Sequence, residues 1–245
     1  MGATEKMERN FDEVRNLTLR QELALLLRAL KVEGYDDHFL GHITVKNGEG
    51  KYLTNPMELA WDQVCASDIL LVDDKNNKLE GAGTPHEGLA LHFPIHQQST
   101  PGTVKIVIHN HPKYATLWAT RGQVPPVYEQ GGAFDFCPVH LVENFAPNGE
   151  IGRLHGRAIA EAGCAILGRH GVAVTGASFH EAYFRALILE MRSKNAWKMQ
   201  AFPGTQPMPA ELATRISKGI SADYRAFAWE FAKRYQLNID KSVLS

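Results

Sequence analysis

The stretch VKIVIHNHPKYAT, residues 104–116, runs an apolar, β-rich segment into two histidines one residue apart, His109 and His111, and stops at Pro112. Side chains i and i+2 of a strand share a face, so both imidazoles can reach one cation at about 2.0–2.1 Å. Two ligands rarely suffice, because a catalytic zinc-type site takes three protein ligands and leaves one position for water or substrate. His170, in LGRHGVAV (167–174), is the best third candidate. It sits at a glycine-flanked bend between two apolar runs, where strands position the backbone and the side chain stays accessible. An HxH at a strand end is by itself more often a pair of surface imidazoles than a ligand pair.

Outward from this stretch, the periodicity changes along the chain. LTLRQELALLLRALKVEG (17–34) places Leu19, Leu23, Leu26, Leu27 and Leu30 at helical spacing before Gly34, and predicts an amphipathic helix. HITVKN and KYLTN flank the turn residues NGEG, a hairpin over 42–55. DILLVDD (68–74) reads as a strand followed by a turn, and TPHEGLALHFPIHQQS (84–99) as a helix begun at Pro85 and disturbed by Pro94. KYATLWATR is helical, and residues 134–143 form a strand that Pro138 marks as an edge or an irregularity. GRLHGRAIAEAG ends a helix at Gly163, and CAILGRHGVAVTG is two β runs bent around Gly168–Gly171. Ser178 and Glu181 are spaced as a capping box for a helix of about six turns. The segment from Pro209 is helical again. Helices before, among and after strands predict an α/β (α+β) sandwich. We take residues 1–245 as a single domain, with a core over about 17–205 and a C-terminal helical tail over 206–245.

A net charge of −1 removes the electrostatic basis for nucleic acid or an anionic membrane as partner. The chain shows no apolar leader and no stretch of about 20 apolar residues, so a cytoplasmic location and a small-molecule partner are expected. Cys65, Cys137 and Cys164 are odd in number and dispersed, which reads as reduced, buried packing. Five of the eleven histidines fall within residues 86–111. His92 and His96 lie one helical turn apart, like the ends of HExxH without its Glu, and read as packing or as residues that orient a ligand. His38, His155 and His180 have ordinary surface contexts.

Together these blocks resemble the class II aldolase/adducin family over roughly residues 17–200. GHITVKN (41–47), LTNPMELAWDQVCASDILLVD (53–73), LHFPIHQQSTPGTVKIVIHNHP (91–112) and RHGVAVTG (169–176) carry the resemblance, the last two most specifically. It implies a central, mostly antiparallel sheet flanked by helices on both sides, and a homotetramer with active sites between subunits. It also implies one divalent metal ion per subunit (Zn, Mn, Fe or Co) on His109, His111 and His170. The chain departs from the family's sugar-phosphate aldolases in two places. Their acid/base glutamate falls on Gly88, leaving Glu87 one position away as the catalytic candidate. Their phosphate-holding positions carry His42, Met57, Glu58, His86 and Glu87, which crowd or repel a dianion. His42, His86 and His92 are then substrate-binding candidates. VPPVYEQGG (124–132) matches a block that lends a tyrosine to a neighbouring site, which makes Tyr128, or Glu129, a proton-donor candidate.

These departures favour a lyase that cleaves a C–C bond, by decarboxylation or retro-aldol cleavage, in a small non-phosphorylated hydroxy/keto or hydroxy-aromatic carboxylic acid. Such a site stabilises the enolate-like charge that bond cleavage leaves behind. The alternatives are an Fe(II)-dependent oxygenase on the same scaffold and a non-catalytic adducin-like domain.

Overall fold

A computed structural model describes residues 14–135, 138–220 and 222–245. Eight strands form one sheet in the order β4-β3-β2-β1-β5-β8-β7-β6. They span His42–Lys46 (β1), Lys51–Thr54 (β2), Leu70–Asp73 (β3), Lys78–Glu80 (β4), Ile106–Asn110 (β5), Val139–Val142 (β6), Cys164–Leu167 (β7) and Gly171–Gly176 (β8). Every pairing is antiparallel except β6 with β7. The exception follows from the connection: β6 leads into the helix Asn148–Ala162 before the chain returns as β7, and such a crossover joins parallel strands. The expected hairpin at 42–55 is β1–β2, while KNNKLEG is more than a turn, since Lys78–Glu80 adds β4 at one sheet edge.

The helices are Leu19–Val32 (α1), His92–Gln98 (α2), Lys113–Arg121 (α3), Asn148–Ala162 (α4), Phe179–Met199 (α5), Ala210–Gly219 (α6) and Ala222–Ile239 (α7). One sheet face, with Ile43, Val45, Ile106, Ile108, Val172 and Val174, packs on α1, α3, α5 and α7. The other, with Val107, Ala165, Leu167 and Ala173, packs on Leu91, Ile95, Ile151 and Ile159 of the α2 and α4 layer. Strand alternation sorts β1 accordingly: Ile43 and Val45 enter the first core, leaving His42 and Thr44 to the second side.

Four expectations need adjusting. α1 is not a one-sided amphipathic helix, because every residue from Leu23 to Leu30 is buried. The C-terminal segment covers its outer side: Trp229, Ala232 and Leu237 join the same core, and Arg28 bonds Asp240 at 2.8 Å. Each fully buried leucine there contributes on the order of 2 kcal/mol. The helix expected from Pro85 begins at His92, after a 3-10 turn over Glu87–Leu91. Pro94 falls in its first turn, where a missing N–H costs little, so it does not disturb the helix. Ser178 caps α5 as expected, but the Glu181 carboxylate accepts from Ala177 N–H at 2.7 Å instead of from the Ser178 backbone. The strand at 134–143 shortens to β6, preceded by a 3-10 turn over Gly131–Ala133, and is the sheet edge that Pro138 suggested. Of the cysteines, Cys164 is buried, Cys65 is half-buried beside the Arg28 guanidinium at 3.4 Å, and Cys137 lies outside the described residues. Among the described residues no helix is long and apolar enough to cross a membrane.

Candidate metal centre

The centre of the sheet assembles three imidazoles. β5 pairs with β1 on one side and β8 on the other, so His109 lies opposite His42 and opposite Ala173. His111 follows β5 directly, and His170 sits in the β7–β8 turn. Ligand-capable nitrogens of His109, His111 and His170 all lie within 4.8 Å of one another. The ring centroids stand 4.8–5.1 Å apart.

Local backbone features aim these rings. Arg169 adopts a left-handed φ of +57°, unusual for a side chain with a Cβ, and its N–H bonds Ala119 O at 2.8 Å. That fixed turn presents His170. Gly171 permits a close approach, since a Cβ there would come within 2.5 Å of His111 Cδ2 and 2.6 Å of Asn110 O.

Hydrogen bonding then selects the free nitrogens. His109 Nδ1–H donates to Val172 O at 2.9 Å, and His111 Nδ1 meets the Asp37 carboxylate at 2.5 Å. Both contacts leave Nε2 available, as a carbonyl or a carboxylate behind a metal-binding histidine does. Asp37 was not singled out from the sequence, because nothing in YDDHFLGH shows that its carboxylate reaches a residue so far along the chain. His170 Nδ1 is buried without a hydrogen-bond partner. A buried, unpaired nitrogen beside two imidazoles is the donor set that a divalent cation completes. Burial, with the neighbouring imidazoles, holds His109 well below the usual histidine range and pushes His170 down to about 4. Both rings are therefore neutral at neutral pH, the form that ligates.

The other candidates take different places. His42 is buried, its ring centroid 4.9 Å from that of His109 and 4.5 Å from that of His86. Its Nδ1 bonds His92 Nε2 at 2.8 Å, and His92 Nδ1 bonds Thr44 Oγ1 at 2.8 Å. Thr44 Oγ1 also bonds His96 Nε2 at 2.9 Å. His92 thus stands behind His42 without reaching the triad directly. Gly88 makes room for this arrangement, since a Cβ there would come within 2.1 Å of His42 Nε2. His86 caps the 3-10 turn, accepting from Gly88 N–H, and Glu87 is exposed at its first position. Burial lowers the His86 pKa from the usual histidine range, and the nearby Glu87 charge offsets that only in part. Among the described residues no hydrogen bond joins Glu87 or Tyr128 to the triad. The Glu129 carboxylate is engaged locally, accepting from Gly131 and Gly132 N–H and from Asn195. Phe145 is exposed and meets the His170 ring edge-on at 5.6 Å, and Phe39 and Leu40, which follow Asp37 in the chain, are exposed as well.

Comparison with known proteins bears on the fold and the family. The chain is 29% identical over 213 residues to a 3,4-dihydroxyphthalate decarboxylase of Terrabacter sp., covering 78% of this chain and 86% of that one. It is 28% identical over 179 residues to an adducin-related protein of Schizosaccharomyces pombe, covering 67% of this chain and 54% of that one. In fold it resembles an L-fuculose 1-phosphate aldolase from Glaciozyma antarctica, with a TM-score of 0.76 at 20% identity over 100% of this chain and 96% of that one. With the family model for the class II aldolase and adducin N-terminal domain matching residues 21–197, the chain belongs to that family.

Proposed function

We propose that this protein is a divalent-metal-dependent lyase that releases carbon dioxide from a small, non-phosphorylated hydroxy-aromatic carboxylic acid. The observation that carries this reading is three imidazoles within reach of one cation, with the exposed Phe145 ring edge-on to one of them. His109, His111 and His170 would hold the cation. When bound, it supplies a Lewis acid for the oxygens of a hydroxy acid and for the negative charge left by C–C cleavage.

The chain's own groups do the rest. Phe145, edge-on to His170, offers an aromatic ring a partner of about 0.5–1.5 kcal/mol beyond simple burial. A sugar phosphate finds less here: the Thr84 N–H already donates to the Glu58 carboxylate at 3.0 Å, and Met57 is exposed beside it. Glu87, exposed beside His86, is assigned the transfer of the proton that replaces the carboxyl group. Tyr128 is assigned to the site of a neighbouring subunit in a homotetramer, where its phenol assists the same transfer. The relative named as a decarboxylase favours carbon dioxide release over retro-aldol cleavage.

The test is a screen of hydroxy-aromatic, hydroxy-keto and sugar-phosphate substrates with protein purified without chelator. Carbon dioxide release from a hydroxy-aromatic acid is expected. Activity confined to sugar phosphates overturns the reading.

A further inference from the structure

We propose that the outward face of α7 pairs with the same face of a second copy of this chain, the two helices lying antiparallel about Phe231.

Helical spacing puts Tyr224, Phe227, Phe231, Tyr235 and Ile239 along one side of α7. Each is 48–66% exposed, while Trp229, Ala232 and Leu237 on the other side enter the core. Val32, at the end of α1, is exposed too, and it shares a cavity of about 170 Å³ with Phe231 and Tyr235. An aromatic side chain has roughly 200 Å² to bury, so the stripe leaves on the order of 600 Å² of apolar surface uncovered. That is as much as the largest patch on a typical lone chain, about 300–600 Å². A stable interface takes about 800 Å² from each partner, somewhat over half of it apolar, so the stripe with its polar flanks suffices for one.

The stripe is also self-complementary, as a contact that uses the same patch on both partners requires. Phe231 is its middle, with Phe227 and Tyr235 one turn to either side and Tyr224 and Ile239 two turns away. Reversing one helix about Phe231 sets Phe227 against the partner subunit's Tyr235, and Tyr224 against the partner subunit's Ile239. One flank carries Glu230 and Arg234, an ion pair at 3.2 Å within α7. Reversal brings Glu230 within a turn of the partner's Arg234, so the flanks attract.

Other occupants fit less well. A membrane surface binds helices whose polar face is rich in free Lys and Arg. Here Arg225 bonds Asp135 at 3.0 Å and Lys233 bonds Glu22 at 3.2 Å. Residues 1–13 hold six charged side chains and only three large apolar ones, Met1, Met7 and Phe11. α7 covers the sheet face opposite the side of His42 and His109, so pairing leaves the metal centre uncovered. It also follows the part of the chain that the family model matches. Being two-fold, the contact forms no ring and joins two copies, or two assemblies, face to face.

The test uses the full chain. A Phe227→Asp/Phe231→Asp double variant places two carboxylates in the contact at exposed positions. It is expected to halve the mass of the assembly in sedimentation, with metal content as in the wild type. The dissociation constant should rise at least about a hundredfold. Under mild oxidation Phe231→Cys is expected to give a reducible covalent dimer that the wild type, with its own three cysteines, does not give. An unchanged mass in the double variant overturns the pairing. A halved mass without the cross-link overturns it as well, because a different surface then meets the stripe. So does sedimentation of the wild type, but not of the double variant, with vesicles of phosphatidylcholine and phosphatidylglycerol. If the double variant fails to fold, the Phe231→Cys cross-link decides alone, its presence supporting the pairing and its absence overturning it.

Discussion

Two groups of histidines lie side by side in this protein and are bonded in different ways. In the triad, His109 and His111 each spend one nitrogen on an oxygen partner, a carbonyl and a carboxylate, and keep the other free. In the interior chain, His92 has both nitrogens engaged, by His42 and by Thr44. The residue type is the same, and what the second nitrogen touches separates a ring free to take a cation from one that is saturated.

The largest effect that sharpens this contrast is expected at the triad. His170→Ala removes one of three donors and should abolish tight metal retention, with activity falling about a thousandfold or more. Metal analysis after dialysis checks it, and full metal content in the variant breaks the distinction. A smaller loss is expected from Asp37→Asn, which leaves the three ligands in place and weakens the orientation of His111. Metal affinity should fall about 10–100-fold, read by competition with a chelator.

The interior chain should reveal itself through stability. Burial pushes His96 down to about 3, against 6.5 for an exposed ring. Between those values the unfolded chain binds a proton that the folded one refuses, so stability rises with pH through this window and is lost as pH falls. The share of one histidine is at most about 1.4 kcal/mol per pH unit. Urea unfolding of metal-free protein between pH 4.5 and 7.5 should show a slope to which the buried His42, His92, His109 and His170 also contribute, and His96→Phe should reduce it by this share. A slope unaffected by the substitution would mean that His96 is solvated. The smallest effect is expected from Phe145→Ala, which should raise KM for an aromatic acid about two- to tenfold and leave metal content intact.

Much of this was legible in the sequence. Alternating β1 residues, the HxH after β5 and the glycine-flanked His170 carry their own spacing, and strand pairing brings them together. What was not legible depends on contacts between distant segments. Asp37 meets His111 through the packing of a loop, and Thr44 joins two histidines of α2 only because that helix lies across β1. The burial of Leu25 could not be seen from the α1 pattern, because the cover comes from α7, about 200 residues later. His92 and His96 share a helical face, but periodicity does not say whether that face meets a metal, a hydroxyl or an apolar wall.

The order of the sheet also bears on how the protein folds. β5 lies between β1 and β8, two partners far from it in sequence, so the three ligands meet only when the middle of the sheet closes. Contacts of such long range form late and slowly. A cation that recognises the completed triad has nothing to grip in the earlier states. Its presence should therefore slow unfolding while leaving the rate of folding nearly unchanged.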